Sequence, residues 1–141
     1  MAELIFNIGN TYALMLWILL IVLPQNEKVR TGLTFAGVGM LALLYSAVVL
    51  TSVQELNFND FSSLAGVKSL FASDMAVAAG WIHYLCFDFF AGYHVRKKLT
   101  ESGLKIWFQL PILLFTFMLG PFGMAIFLAV YTIRIKKATA L

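Results

Sequence analysis

Ile106–Ile133 reads IWFQLPILLFTFMLGPFGMAIFLAVYTI, 28 consecutive residues without a charge. An α-helix rises about 1.5 Å per residue, and the hydrocarbon of a bilayer is about 30 Å thick, so roughly 20 apolar residues cross it once. The stretch suffices for one crossing and not for two. Pro111 lies near its start and Gly120-Pro121-Phe122-Gly123 near its middle. Pro121 has no N–H for the Phe117 carbonyl and its ring crowds that group, so the sequence predicts one bent span with a freed carbonyl at mid-membrane.

Three further stretches have the same character: Leu4–Asn26 (23 residues), Thr31–Gln54 (24) and Met75–Val95 (21), the last interrupted only by Asp88. Lipid offers no partner to an open backbone, so each must be helical. The expected fold is therefore all-α, an integral membrane four-helix bundle forming one transmembrane domain over 1–141, with spans at about 4–24, 32–53, 75–95 and 106–133. Composition agrees, with 61% hydrophobic and 12% charged residues, whereas soluble chains carry about a quarter charged. Four spans leave no room for a separate soluble domain, so function belongs within the membrane or at its faces.

Glu55–Asp74 is too polar to span. Asn59 and Asp60 are good capping residues, and Phe61, Leu64, Ala65, Leu70 and Phe71 recur near helical spacing. That pattern predicts a short amphipathic helix at about 60–72 on the bilayer surface, either an anchor or a lid over a cavity, with Lys68 in water. With four spans both chain ends share a side. The loops after spans one and three carry six Lys/Arg against four elsewhere, which orients the ends outward.

Several chemistries are excluded. A single cysteine, Cys86, makes neither an internal disulfide nor a multi-thiolate metal site. The net charge of +3 comes from juxtamembrane Lys and Arg, which fits lipid contact rather than nucleic acid. The two histidines, His83 and His94, stand about 16 Å apart on one helix and cannot share a haem iron. The reading is of a protein without metal or cofactor, in contact with membrane lipid.

Candidate functional residues concentrate in the third span, Gly80-Trp81-Ile82-His83-Tyr84-Leu85-Cys86-Phe87-Asp88. Insertion scales charge about 2.5–3.5 kcal/mol for an Asp at mid-span, so Asp88 must face protein or water. At about 100° per residue, Tyr84 and Asp88 share a face with Trp81 and Gly92, whereas His83 lies about 140° from Asp88 with Phe87, Phe90 and His94. A ligand lying against the helix, or a bend in it, would be needed to bring His83 and Asp88 into one site. In span one, Asn10, Leu14, Trp17 and Ile21 fall on one face, which turns Asn10 and Trp17 inward together. Span two has a line of small residues, Gly32, Ala36 and Gly39, continued by Leu43 and Ser46, which reads as a packing seam or as a face for a second copy in a homodimer. Tyr45 and Ser46 add hydroxyls at depth. A structural reading stands beside each of these: polar residues that cross-link helices rather than bind a ligand.

The order of these features resembles the plant abscisic-acid-deficient (neoxanthin-synthase-like) family of small four-span membrane proteins. The resemblance rests on Asn10, Trp17 and Pro24; Tyr45; Gly66 with Leu70-Phe71; Trp81-Ile82-His83-Tyr84, Phe87-Asp88 and Gly92; and Gly120-Pro121 with Gly123. After Gly92 the family pattern continues with Arg-Trp and an acidic residue, where this chain has Tyr93-His94. The resemblance implies rearrangement of a carotenoid or other isoprenoid end group: an epoxide opens and a proton is removed, with no metal or redox cofactor needed. His83, Asp88 and Tyr84 are then the candidate catalytic groups, one as base and another polarising the epoxide oxygen. Trp81, Asn10, Trp17, Phe117 and Pro121 are candidates for holding the substrate. No plastid transit pattern is recognised ahead of the first span, so the expected member is bacterial, multi-pass in the inner (plasma) membrane. The competing reading is a non-catalytic protein that binds pigment or lipid, or stabilises a partner complex.

Overall fold

The computed structural model describes residues 1–24, 26–52 and 58–139, and only the backbone of Ser52, Phe58 and 135–139. Val53 at the expected end of span two, and the start of the polar segment through Asn57, lie outside the described residues. Every regular element described is helical: α1 (Ala2–Val22), α2 (Glu27–Leu33), a π-helical segment (Thr34–Gly39), α3 (Met40–Ser52), a 3-10 turn (Phe58–Ser62), α4 (Leu64–Leu70), α5 (Asp74–Glu101), α6 (Ile106–Leu119) and α7 (Pro121–Thr139).

Local chemistry sets the starts. Asn26, Ser63 and Ser73 each sit in extended backbone and accept a hydrogen bond from the N–H three residues on, Val29, Gly66 and Ala76 respectively, as N-caps do. The cap of the interfacial helix is thus Ser63, not the expected Asn59 or Asp60. Asp60 falls in the preceding 3-10 turn, with its backbone lying against Gly66, where a Cβ would overlap it.

α2, the π segment and α3 form one apolar rod. The loosened turn frees carbonyls, and neighbours serve them: the Tyr12 hydroxyl donates to the Ala36 carbonyl, and the Cys86 thiol points at the Val38 carbonyl at 3.7 Å. Gly37 in this turn lets Phe89 and Leu16 approach. The expected seam is therefore displaced. Gly32 and Gly39 have open space where a Cβ would go, and Ala36, Leu43 and Ser46 are exposed.

α5 is the central element, 28 residues long, about 42 Å by helical rise. It packs against α1, α3, the π segment, α6 and α7. Its Ile82, Phe89, Val95 and Leu99 join Trp17, Leu20, Leu41 and Leu113 in the buried core. Leu14, Ile18, Phe35, Leu43, Leu50 and Leu114 turn outward, an apolar surface suited to lipid. Among the described residues three helices, Ala2–Val22, Glu27–Thr51 and Asp74–Glu101, are long and apolar enough to cross a membrane.

The fourth does not exist as a single span. Gly120, at φ +25°, breaks Ile106–Ile133 into α6 and α7, which fold back on each other. Phe115 and Phe122 meet edge to face at 5.5 Å, Gly123 presses on the Thr116 backbone, and the Arg134 guanidinium donates to the Ser102 carbonyl at 3.3 Å. Ser102 precedes α6 and Arg134 ends the apolar stretch, so the hairpin returns to the end it left. With 14 residues, α6 rises about 21 Å, short of a crossing. Its tip stops beside Asp88, the fifteenth residue of α5.

The fold-back re-sorts the charges. Lys28, Arg30, Arg96, Lys97, Lys98, Lys105, Arg134, Lys136 and Lys137, nine of the ten Lys and Arg residues, belong to one end of the bundle, and Lys68 alone to the other. The Arg30–Glu101 pair at 4.0 Å ties α2 to α5 at the basic end.

Candidate functional site

Eight residues singled out by sequence distribute over three places. The first is the hairpin tip. Asp88 is 8% exposed, and its carboxyl lies where a side chain on Gly120 would go. The Tyr84 hydroxyl interacts with this carboxyl and lies 3.3 Å from the Met118 carbonyl, one of those left over at the end of α6. One O–H serves a single acceptor at a time. A neutral Asp88 would donate to Tyr84 while Tyr84 donates to Met118; an ionised Asp88 would accept the Tyr84 hydrogen bond itself. In the first arrangement the non-helical turn at the hairpin tip is held by a side chain from α5, as irregular backbone in lipid requires. Pro121 starts α7 at this tip, a position where its missing N–H costs nothing. Above the tip, Trp81 stacks on Tyr84 with ring centroids 5.3 Å apart and donates its indole N–H to the Asn10 side-chain oxygen at 2.7 Å.

Trp17 and Phe117 define the second place. Their rings pack at 5.3 Å, and Trp17 also meets Phe89 at 6.1 Å and fills the notch at Gly92. Both line an apolar recess of about 490 Å³ between α1 and α6, with Leu14, Ile18, Trp107 and Phe115.

His83 stands alone in the third, on the far side of α5. Its ring faces Tyr45 of α3 at 5.4 Å and Phe87 at 4.7 Å. Two cavities have both His83 and Tyr45 in their walls. One of about 310 Å³ is closed by Phe61, Leu70 and Phe71, with Val48, Met75 and Gly80 behind. The other, about 390 Å³, continues past Val38, Ala42, Cys86, Phe87 and Phe90. Together they make a groove along α5 from Met75 to Phe90, about 22 Å by helical rise. The 3-10 turn and α4 border it through Phe61, Leu70 and Phe71. Gly80 admits the Phe71 ring directly against α5.

His83 and Asp88 are thus not brought together, in keeping with their angular separation on the helix. Spacing along one helix could not supply Tyr45 as the partner of His83, because that pairing crosses from α3 to α5; its only sequence signal is a tyrosine at depth in an otherwise apolar rod. Among the described residues, no three His, Cys, Asp or Glu side chains group as metal ligands do.

Helices long and apolar enough to cross a bilayer, with an apolar groove between them and one imidazole on its wall, define a small all-helical membrane protein. The chain belongs to the ABA DEFICIENT 4-like family, whose profile matches residues 4–127. It is similar to the protein ABA DEFICIENT 4, chloroplastic, of Arabidopsis thaliana, being 27% identical over 112 residues that cover 74% of this chain and 51% of the relative. The chain therefore spans about half the length of the curated relative it matches. No solved structure matches it.

Proposed function

We propose that this protein takes a carotenoid or another isoprenoid lipid from the bilayer into the His83 groove and isomerises its oxygenated end group there. The observation that carries the reading is the placement of His83 and Tyr45 together on the wall of an otherwise apolar groove. Ligand sites combine apolar walls with a few placed polar groups in this way. Asp88, enclosed against Gly120, offers a substrate no approach, whereas His83 is exposed to the groove. The base is therefore His83, and Asp88 with Tyr84 secures the hairpin.

The chemistry balances without an oxidant. A ring nitrogen of His83 takes a proton from the carbon next to the epoxide, the C–H electrons form a new double bond, and the C–O bond breaks. The oxygen stays on the same molecule and takes the Tyr45 proton. The imidazolium then returns its proton to the phenolate 5.4 Å away between ring centroids. Product and substrate have equal mass, and acid–base assistance of this kind contributes about 10²–10⁴-fold.

The decisive experiment produces the protein in a host that makes epoxy-carotenoids, then extracts and analyses the pigments of membranes and purified protein. Wild type is expected to hold a pigment and convert it to an isomer of equal mass; His83→Gln and Tyr45→Phe hold it unconverted, and Asp88→Asn still converts. A wild type that retains pigment unchanged is a binding protein and not an enzyme; one that retains none refutes the site. The proposed setting is a bacterial inner membrane, read by membrane fractionation. The outward small-residue line of α2 and α3 is the proposed contact for a second copy.

A further inference from the structure

At the basic end, α6 begins without the usual anionic help. Its N-cap is Lys105, no side chain caps it, and its first turn holds no acid. A helix N-terminus presents free N–H groups and a positive partial charge, and its preferred neighbours are anionic. Here the neighbours are cations. Beside this first turn lies Arg96, only 8% exposed. Its Nη1 donates to Gln109 Oε1 at 2.6 Å and to Thr100 Oγ1 at 2.7 Å, both neutral, and its Nε is buried without a partner. The Gln109 amide in turn donates to the Leu104 carbonyl, which holds this group against the turn entering α6. Glu101, the nearest acid in sequence, is engaged by Lys98 at 3.4 Å and Arg30 at 4.0 Å. Among the described residues Arg96 has no ion pair. A buried guanidinium without a counter-charge is costly, since its desolvation is not offset.

We propose that the α6 N-terminus, Arg96 and Lys105 form a binding site for the phosphate of an anionic phospholipid. Trp107 and Phe108, 76% and 66% exposed, follow immediately. Exposed aromatics beside a cationic helix end mark the headgroup level of a membrane, which selects a lipid over free phosphate as the source. Basic pockets between helices on the positively charged side of a membrane are suited to such headgroups.

The test titrates purified full-length protein in detergent with dioleoylphosphatidylglycerol and counts bound lipid by native mass spectrometry. Dioleoylphosphatidylcholine and inorganic phosphate serve as separate arms. Losing one charge-assisted hydrogen bond corresponds to about tenfold or more in affinity. Arg96→Gln is therefore expected to bind phosphatidylglycerol at least about tenfold more weakly than wild type. Lys105→Gln, at an exposed position and so expected to fold, weakens binding in the same direction, while Lys28→Gln, a charge loss elsewhere at the same end, leaves it unchanged. Wild-type affinity in Lys105→Gln, or equal weakening in Lys28→Gln, overturns the site even where Arg96→Gln fails to fold. Inorganic phosphate that displaces the lipid at equal concentration overturns the assignment to phospholipid.

Discussion

Gly92 stands where the outer edge of the Trp17 indole presses on α5: a Cβ there would overlap three ring atoms. The ring is 3% exposed and flanked by Phe89 and Phe117. Gly92→Ala is therefore expected to destabilise by about 1–3 kcal/mol, the usual range for overpacking a core. Gly32→Ala, which adds a methyl into open space, is expected to stabilise by about 0.5–1 kcal/mol through lost unfolded-state freedom. Thermal unfolding of the two variants in one detergent checks the contrast; equal shifts would show that the Trp17 contact does not constrain α5. The same residues show what a sequence reveals at this scale. The lone mid-span charge marked Asp88 as a buried group, and helical spacing separated His83 from Tyr84 and Asp88, as the structure does. Trp17 facing Gly92 was within reach only as an inward tryptophan, because nothing in one helix names its partner on another.

A hairpin and a bent span have the same hydropathy, which is why the α6–α7 fold-back was not legible. Gly120-Pro121 signalled a break, and spacing alone could not give the direction of the chain beyond it. The direction is settled by contacts between segments: Gly120 takes a positive φ against Asp88, and Gly123 lies on Thr116. At Gly123 a methyl would meet the Thr116 backbone N and Cα rather than a movable side-chain end. Gly123→Ala is accordingly expected to splay the two helices. The reporter is a short bismaleimide joining Ser102→Cys to Arg134→Cys in a Cys86→Ala background, two positions linked by a 3.3 Å hydrogen bond in the native chain. Cross-linking is expected in the parent and lost with Gly123→Ala. A continuous helix over Ile106–Ile133 would hold these ends about 42 Å apart and give no product in either. By contrast, the first three spans were legible because charges bound their apolar stretches.

The whole molecule carries its Lys and Arg residues, Lys68 apart, at one end, and that follows from the hairpin. With a full fourth span, Arg134, Lys136 and Lys137 would join Lys68 and leave six Lys/Arg facing four. Folded back, they join Lys105 and make it nine against one. The positive-inside bias acts on Lys and Arg flanking the spans, and a nine-to-one asymmetry orients a small protein far more strongly than six-to-four. The basic end is therefore expected in the cytoplasm, with Phe61, Leu70, Phe71 and the groove they border at the opposite leaflet. Single cysteines in a Cys86→Ala background, placed at Lys68, Lys105 and Arg134 and treated in intact cells with a membrane-impermeant maleimide, separate the layouts. Labelling at Lys68→Cys alone is expected, with Lys105→Cys and Arg134→Cys reacting only after the membrane is opened. Labelling of Arg134→Cys together with Lys68→Cys would restore a complete fourth crossing, and with it the six-to-four division of charge in place of nine-to-one.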